Sequence, residues 1–186
     1  MATDCKDCSN EDIATYASEV DKRIATHSGD MFDNNSAAHA GVVLEKFVEN
    51  AQESILIVCG KLSRMVYEKV YGLLRDVMLN KGVNVRVITS TDKVEAQEIL
   101  DTLVEKKAIK YVTPKKSAPS DNAPFESGIP HFAIIDQKMM RFELDEKMRK
   151  AVACANVDDN KDAKEMVEKG LRAFEALWKH ATPLTY

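Results

Sequence analysis

Apolar residues recur along this chain in two rhythms, one helical and one extended. From Ser9 or Asn10 to about Thr26, the positions Ile13, Ala17, Val20 and Ile24 fall on one face of a predicted first helix. Ser28-Gly-Asp and Asp33-Asn-Asn then break the pattern. A second helix is predicted from about Ser36 to Ala51, burying Val43, Leu44, Phe47 and Val48. The run Ser54-Ile-Leu-Ile-Val-Cys-Gly60 is continuously apolar, as expected of a strand covered on both faces. Ser63 to Asn80 returns to helical spacing through Met65, Val66, Val70, Leu73, Leu74, Val77 and Met78, and Lys81-Gly82 ends it. Val83 to Thr89 reads as a strand, Lys93 to Lys106 as a helix with Leu103 inward, and Ile109 to Thr113 as a third strand. This alternation implies parallel strands joined by right-handed crossovers.

Pro114 to Gly128 carries three Pro and three Ser and predicts a flexible loop, longer than a compact domain usually needs. Beyond it the pattern becomes that of a hairpin. His131 to Asp136 and Met139 to Leu144 are predicted strands separated by Gln137-Lys138, and Ala151 to Ala155 is a third. A closing helix begins near Asn160, with Ala163, Val167, Gly170, Leu171, Phe174 and Trp178 on one stripe that must pack on the sheet. The organisation expected is a tail and helix over residues 1–35, then one α/β domain over 36–186 with its flexible loop at 114–128. The sheet is expected to be mixed, mostly parallel and flanked by helices.

Composition narrows the function classes. The chain has 186 residues, 45% hydrophobic, which suits one well-buried domain. A net charge of -4 does not fit a broadly basic nucleic-acid binder, so phosphate recognition would need a local patch. No apolar run approaches a membrane span and no secretory segment is visible, which gives a cytoplasmic expectation. Cys59 and Cys154 lie in apolar strands and read as buried thiols. Cys5 and Cys8 have metal-ligand spacing, but no second pair follows, so neither metal nor cofactor is expected.

Candidate chemistry gathers in two places. At the carboxyl ends of the predicted parallel strands, where ligands collect in such sheets, stand Lys61, Ser63 and Ser90. With Lys138 they are the candidate ligand-binding residues. The other group is His131, at the head of an apolar strand, with Arg141 and Glu143 two apart on the next one. Side chains alternate along a strand, so Arg141 and Glu143 share a face. A two-residue Gln137-Lys138 loop would put His131 on the opposite face. A three-residue loop would bring all three together.

Phe132-Ala-Ile-Ile-Asp136 followed by Lys138, within this order of elements, resembles the phospholipase D-like superfamily over roughly Phe47 to Trp178. The first helix lies outside the resemblance and reads as an addition. The family's signature is His-x-Lys, four residues, Asp, then Gly-Ser-x-Asn. Aligned on Asp136, its His falls at Ile129 and its Lys at His131; the Gly-Ser pair falls at Glu143-Leu144 and the Asn at Glu146. Taking His131 as the nucleophile instead puts Ala133 at the Lys position and shortens the Asp spacing by two. The clamping Lys is missing in both alignments, and Asn156 is a loose substitute for the Asn. The resemblance implies a phospholipase D-like fold, one half-unit per chain, paired as a homodimer, acting on phosphodiesters without a metal. With the signature degenerate, the expected role is binding of a phosphorylated ligand or nucleic acid, or a regulatory or structural partnership. The alternative is a metal-independent phosphodiesterase, most plausibly a nuclease. It would use His131 as nucleophile, Arg141 in place of Lys, Glu143 to orient the ring and Asn156 in support.

Overall fold

The computed structural model describes residues 10–34, 36–60, 64–90, 97–112, 130–144 and 150–184, with side chains at 10, 64–69 and 97–100 left aside. Helix α1 spans Asn10–Ala25 and α2 spans Ala37–Glu49. Ser36 caps α2, its hydroxyl accepting from the His39 N–H at 3.1 Å, which stops the helix short of the Asp33-Asn-Asn break. The crossover region follows as β2 (Ser54–Cys59), α3 (Arg64–Asn80), β3 (Asn84–Thr89), α4 (Gln97–Glu105) and β4 (Ile109–Tyr111). Then come β5 (Phe132–Ile135), β6 (Met139–Glu143), β7 (Ala151–Cys154) and the long α5 (Lys161–His180), which Asn160 caps through Ala163 N–H.

Two short strands were not foreseen: β1 (Phe32–Asp33) and β8 (Thr182–Pro183), one at each edge. The sheet order is β1-β7-β6-β5-β2-β3-β4-β8. Only β2–β3 and β3–β4 pair parallel, while the other five pairings are antiparallel. The expectation of a mostly parallel sheet is therefore corrected. Two crossovers make only two parallel pairings, and β5 enters beside β2 from the opposite direction, so every hairpin partner beyond it is antiparallel. The segment before residue 36 also contributes to the sheet itself, through β1 paired with β7.

Helices cover both faces. Val20 of α1, Val43, Leu44, Phe47 and Val48 of α2, Leu74 of α3 and Leu103 of α4 pack on Ile55, Ile57, Val85, Val87 and Ile135. Against the opposite face, Ala163, Val167 and Phe174 of α5 pack on Leu56, Val58, Ile134 and Met140. Gly170 lets α5 approach closely, since a Cβ there would lie 2.7 Å from Phe142 and 2.9 Å from Ile134. Trp178 stacks on Phe174 at 5.6 Å, with Lys110 and Arg86 over its ring, so it belongs to the edge of this second core.

Candidate functional site

The β5–β6 hairpin decides which side chains meet. Ile135 pairs with Met139, leaving Asp136, Gln137 and Lys138 as a three-residue connection. Asp136 and Gln137 both have positive φ (53° and 58°), and the Lys138 N–H closes the turn on the Ile135 carbonyl. Asp136 is anchored from outside the hairpin. Its carboxylate accepts the backbone N–H groups of Gln52, Glu53 and Ser54, each at 2.8 Å, at the entrance to β2. These are charge-assisted bonds and they tie the turn to the central strand.

With this register His131 lies opposite Glu143, whose N–H donates to the His131 carbonyl at 2.9 Å. Glu143 divides its carboxylate between two partners. Oε2 lies 2.9 Å from His131 Nδ1, and Oε1 accepts from Arg141 Nη1 at 2.8 Å. The carboxylate requires a proton on Nδ1, which places the lone pair of a neutral ring on Nε2. Side-chain exposure is 20% for His131, 8% for Glu143 and 3% for Arg141, so the cluster is largely removed from solvent. Burial pushes the Glu143 carboxyl up, but the His131 hydrogen bond and the Arg141 charge outweigh it and hold the group below its ordinary range.

His131 Nε2 is buried against Gly60, where a Cβ would approach it to 2.6 Å. Gly60 is held in place by its carbonyl, which accepts from Thr89 Oγ1 at 3.1 Å, from the Ser90 N–H at 3.0 Å and from the Ser90 hydroxyl. Ser90 thus fixes the floor of the cluster. All of these groups lie at the carboxyl ends of β2 and β3, as expected of a ligand-bearing end.

The other candidates lie elsewhere. Lys138 is exposed in the hairpin turn, and Asn156 is near it, since the Val157 N–H donates to the Lys138 carbonyl. The Asn156 amide donates to the His27 carbonyl and to Asp159 Oδ2. Both residues therefore stand at the opposite end of the sheet from His131, and Asn156 cannot serve that ring. Lys61, Ser63, Cys5, Cys8 and the 114–128 loop fall outside the described residues. Among the described residues no cluster of His, Cys, Asp or Glu is arranged to hold a metal, and no helix is long and apolar enough to cross a membrane.

Two contributors were not legible beforehand. Asn34 is fully buried beside the cluster, its N–H donating to the Ala151 carbonyl opposite Glu143. Asp33-Asn-Asn looks like a simple break in the sequence, and nothing in it signals burial. His39 stacks on Tyr16 at 4.0 Å, and burial lowers its pKa. Tyr16, Arg23, Phe32, Asp33 and His39 line a cavity of about 360 Å³ between α1, α2 and β1.

No protein-family model and no curated protein matches the chain in sequence. Solved structures do match in fold. TrmBL2, an archaeal chromatin protein that binds DNA, superposes over 93% of this chain with a TM-score of 0.57 at 12% identity. NucT from Helicobacter pylori does so over 83%, with a TM-score of 0.55 at 14% identity, and the match covers 97% of NucT. The chain has the phospholipase D-like fold. Nuc from Salmonella typhimurium, a phospholipase D family member, matches over 75% of this chain and 87% of its own, with 12% identity and a TM-score of 0.48. The match spans 62% of the length of TrmBL2.

Proposed function

We propose that this phospholipase D-like domain has lost the standard hydrolysis of its family and binds a phosphorylated ligand or nucleic acid at the carboxyl ends of β2 and β3. The observation that carries the reading is the placement of the His131 ring. Its Nδ1 is held by Glu143 and its Nε2 is buried against Gly60. A nucleophilic imidazole must present a ring nitrogen in line with phosphorus, within about 3–3.5 Å. In this arrangement neither nitrogen is presented, and Glu143 engages Arg141 through Nη1.

DNA binding by the like-folded archaeal chromatin protein supports a nucleic-acid ligand. A regulatory or structural partnership is the fallback within the same reading. A homodimer is proposed as well, because a half-unit of this family is completed by twofold pairing. Two buried cysteines, Cys59 and Cys154, suit a reducing, cytoplasmic compartment. The 1–35 and 36–186 division is retained only as a proposal for where the family core begins.

The second reading is a metal-independent phosphodiesterase. It is favoured by one observation, that His131, Glu143 and Arg141 converge as a carboxylate-oriented imidazole beside a cation. Hydrolysis of a generic phosphodiester and of single- and double-stranded DNA and RNA in EDTA, with wild type and His131→Ala, separates the two. The binding reading expects no cleavage by either protein, together with salt-sensitive retention of labelled nucleic acid in an anisotropy titration. Cleavage by wild type alone would hand the case to the phosphodiesterase.

A further inference from the structure

Arg141 uses only one of its three nitrogens within the His131 cluster. Nη1 donates to Glu143, while Nε and Nη2 are buried and have no hydrogen-bond partner among the described residues. Nε and Nη2 form the side-on edge of the guanidinium, two parallel donors that match a pair of oxygens on one oxyanion. Leaving both unmet in the interior is costly, so such a pair calls for a ligand.

A second side chain is in the same condition. Asn34 is 0% exposed, and neither its Nδ2 nor its Oδ1 finds a partner among the described residues. The sheet register brings the two close. Arg141 lies across β7 from Phe32, and Glu143 lies across β7 from Asn34, all on the face covered by α1 and α2. The β7 residues between them are Ala153 and Ala151, so only methyl groups separate β6 from β1 on that face. Phe32 and Asp33, just before Asn34, line the cavity between α1, α2 and β1.

We propose that the Nε/Nη2 edge of Arg141 and the amide of Asn34 together bind a free hydrogen-phosphate ion beneath α1 and α2. The inference rests on the phosphate reading above and specifies one ligand for it. The donor inventory selects the ion. Nε, Nη2 and Nδ2 supply donors for ionised oxygens, while Oδ1 of Asn34 is an acceptor that needs an O–H. Hydrogen phosphate carries such an O–H, and sulfate and an ionised carboxylate do not. The burial of both side chains sets the size, since only a small free ion fits beneath the helices without parting them.

The test is thermal unfolding of the full chain in phosphate, sulfate or chloride at matched ionic strength. The midpoint is expected to rise with phosphate and not with sulfate. Asn34→Leu removes the amide without adding a polar group, so the chain still folds, yet it needs at least about tenfold more phosphate for the same shift. Arg141→Lys keeps the charge and loses the fork, with the same expected weakening; if it does not fold, Asn34→Leu carries the test alone. An equal response to sulfate, a response that Asn34→Leu leaves intact, or no response to phosphate would each overturn the site. So would equal stabilisation by a bulky phosphate monoester, which a closed site cannot admit. Nucleic-acid binding that persists in any of these cases would leave the broader reading standing.

Discussion

Gly60 and the imidazole of His131 compete for one volume: a Cβ on Gly60 would stand 2.6 Å from Nε2 and 2.9 Å from Cε1. Neither side has freedom to retreat. Glu143 holds the ring at Nδ1, and Thr89 and Ser90 hold the Gly60 carbonyl. Gly60→Ala is therefore expected to destabilise the fold by about 1–3 kcal/mol, the usual cost of overpacking. In urea unfolding, the double variant with His131→Ala should recover part of that loss, because removing the ring makes room. Simple additivity of the two changes would show that the ring and the glycine do not compete.

Asp136 should matter more to folding than its half-exposed position suggests. Removing a carboxylate that accepts three backbone N–H groups costs roughly 2–5 kcal/mol, because each bond to a charged acceptor is worth more than a neutral one. Asp136→Ala also loses a residue that tolerates φ of 53°. Asp136→Asn keeps the backbone tolerance and one acceptor oxygen, and should cost less. Equal denaturation midpoints for the two variants would refute this ranking.

Acid should weaken the protein partly through Glu143. Its pKa is lowered in the folded state, so the carboxylate contributes stability above its ordinary value of 4.5, and that contribution fades as pH falls toward the folded value. Glu143→Gln strands the Arg141 charge in the interior, a break expected to cost about 3–5 kcal/mol near neutral pH. The difference between wild type and variant should narrow in acid, where wild type also loses the charge. A difference independent of pH, measured by urea unfolding across this range, would sink the assignment.

Two helical glycines should respond with opposite signs to the same substitution. Gly72 in α3 has nothing within 4 Å of an added Cβ, so Gly72→Ala is expected to stabilise by about 0.5–1 kcal/mol. Gly170→Ala gains the same helix propensity but drives a methyl into Phe142 and Ile134, and should be net destabilising by about 1–2 kcal/mol. Melting temperatures moving in the same direction for both would show that α5 can slide away from the sheet.

The helices and central strands could be read from periodicity because each buries one apolar stripe or a continuous apolar run. Ser54 to Cys59 and the stripe through Phe174 are examples. The direction of the sheet was misjudged because the crossovers speak loudly in sequence, while the antiparallel entry of β5 beside β2 depends on a loop that carries no pattern. Strands of two residues, such as β1 and β8, are too short to show any alternation. In the candidate site, His131, Arg141 and Glu143 were visible as polar residues in apolar strands, but their meeting turned on the length of one connection. Asn34 and Gly60 left no sequence signal, since what matters there is what lies across the sheet or across the space of an absent side chain.

That connection has a bearing on how this protein can change over time. Between Ile135 and Met139 stand three residues, and their number decides on which side of the sheet β6 shows its odd-numbered side chains. A mutation that removed Gln137 would spare every residue of the cluster, yet Arg141 and Glu143 would be turned toward α5 and away from His131. Substitutions along β6 can be tried one at a time by an evolving lineage. A change of loop length reverses the whole strand at once, so among descendants of this chain the cluster should drift in composition long before that loop drifts in length.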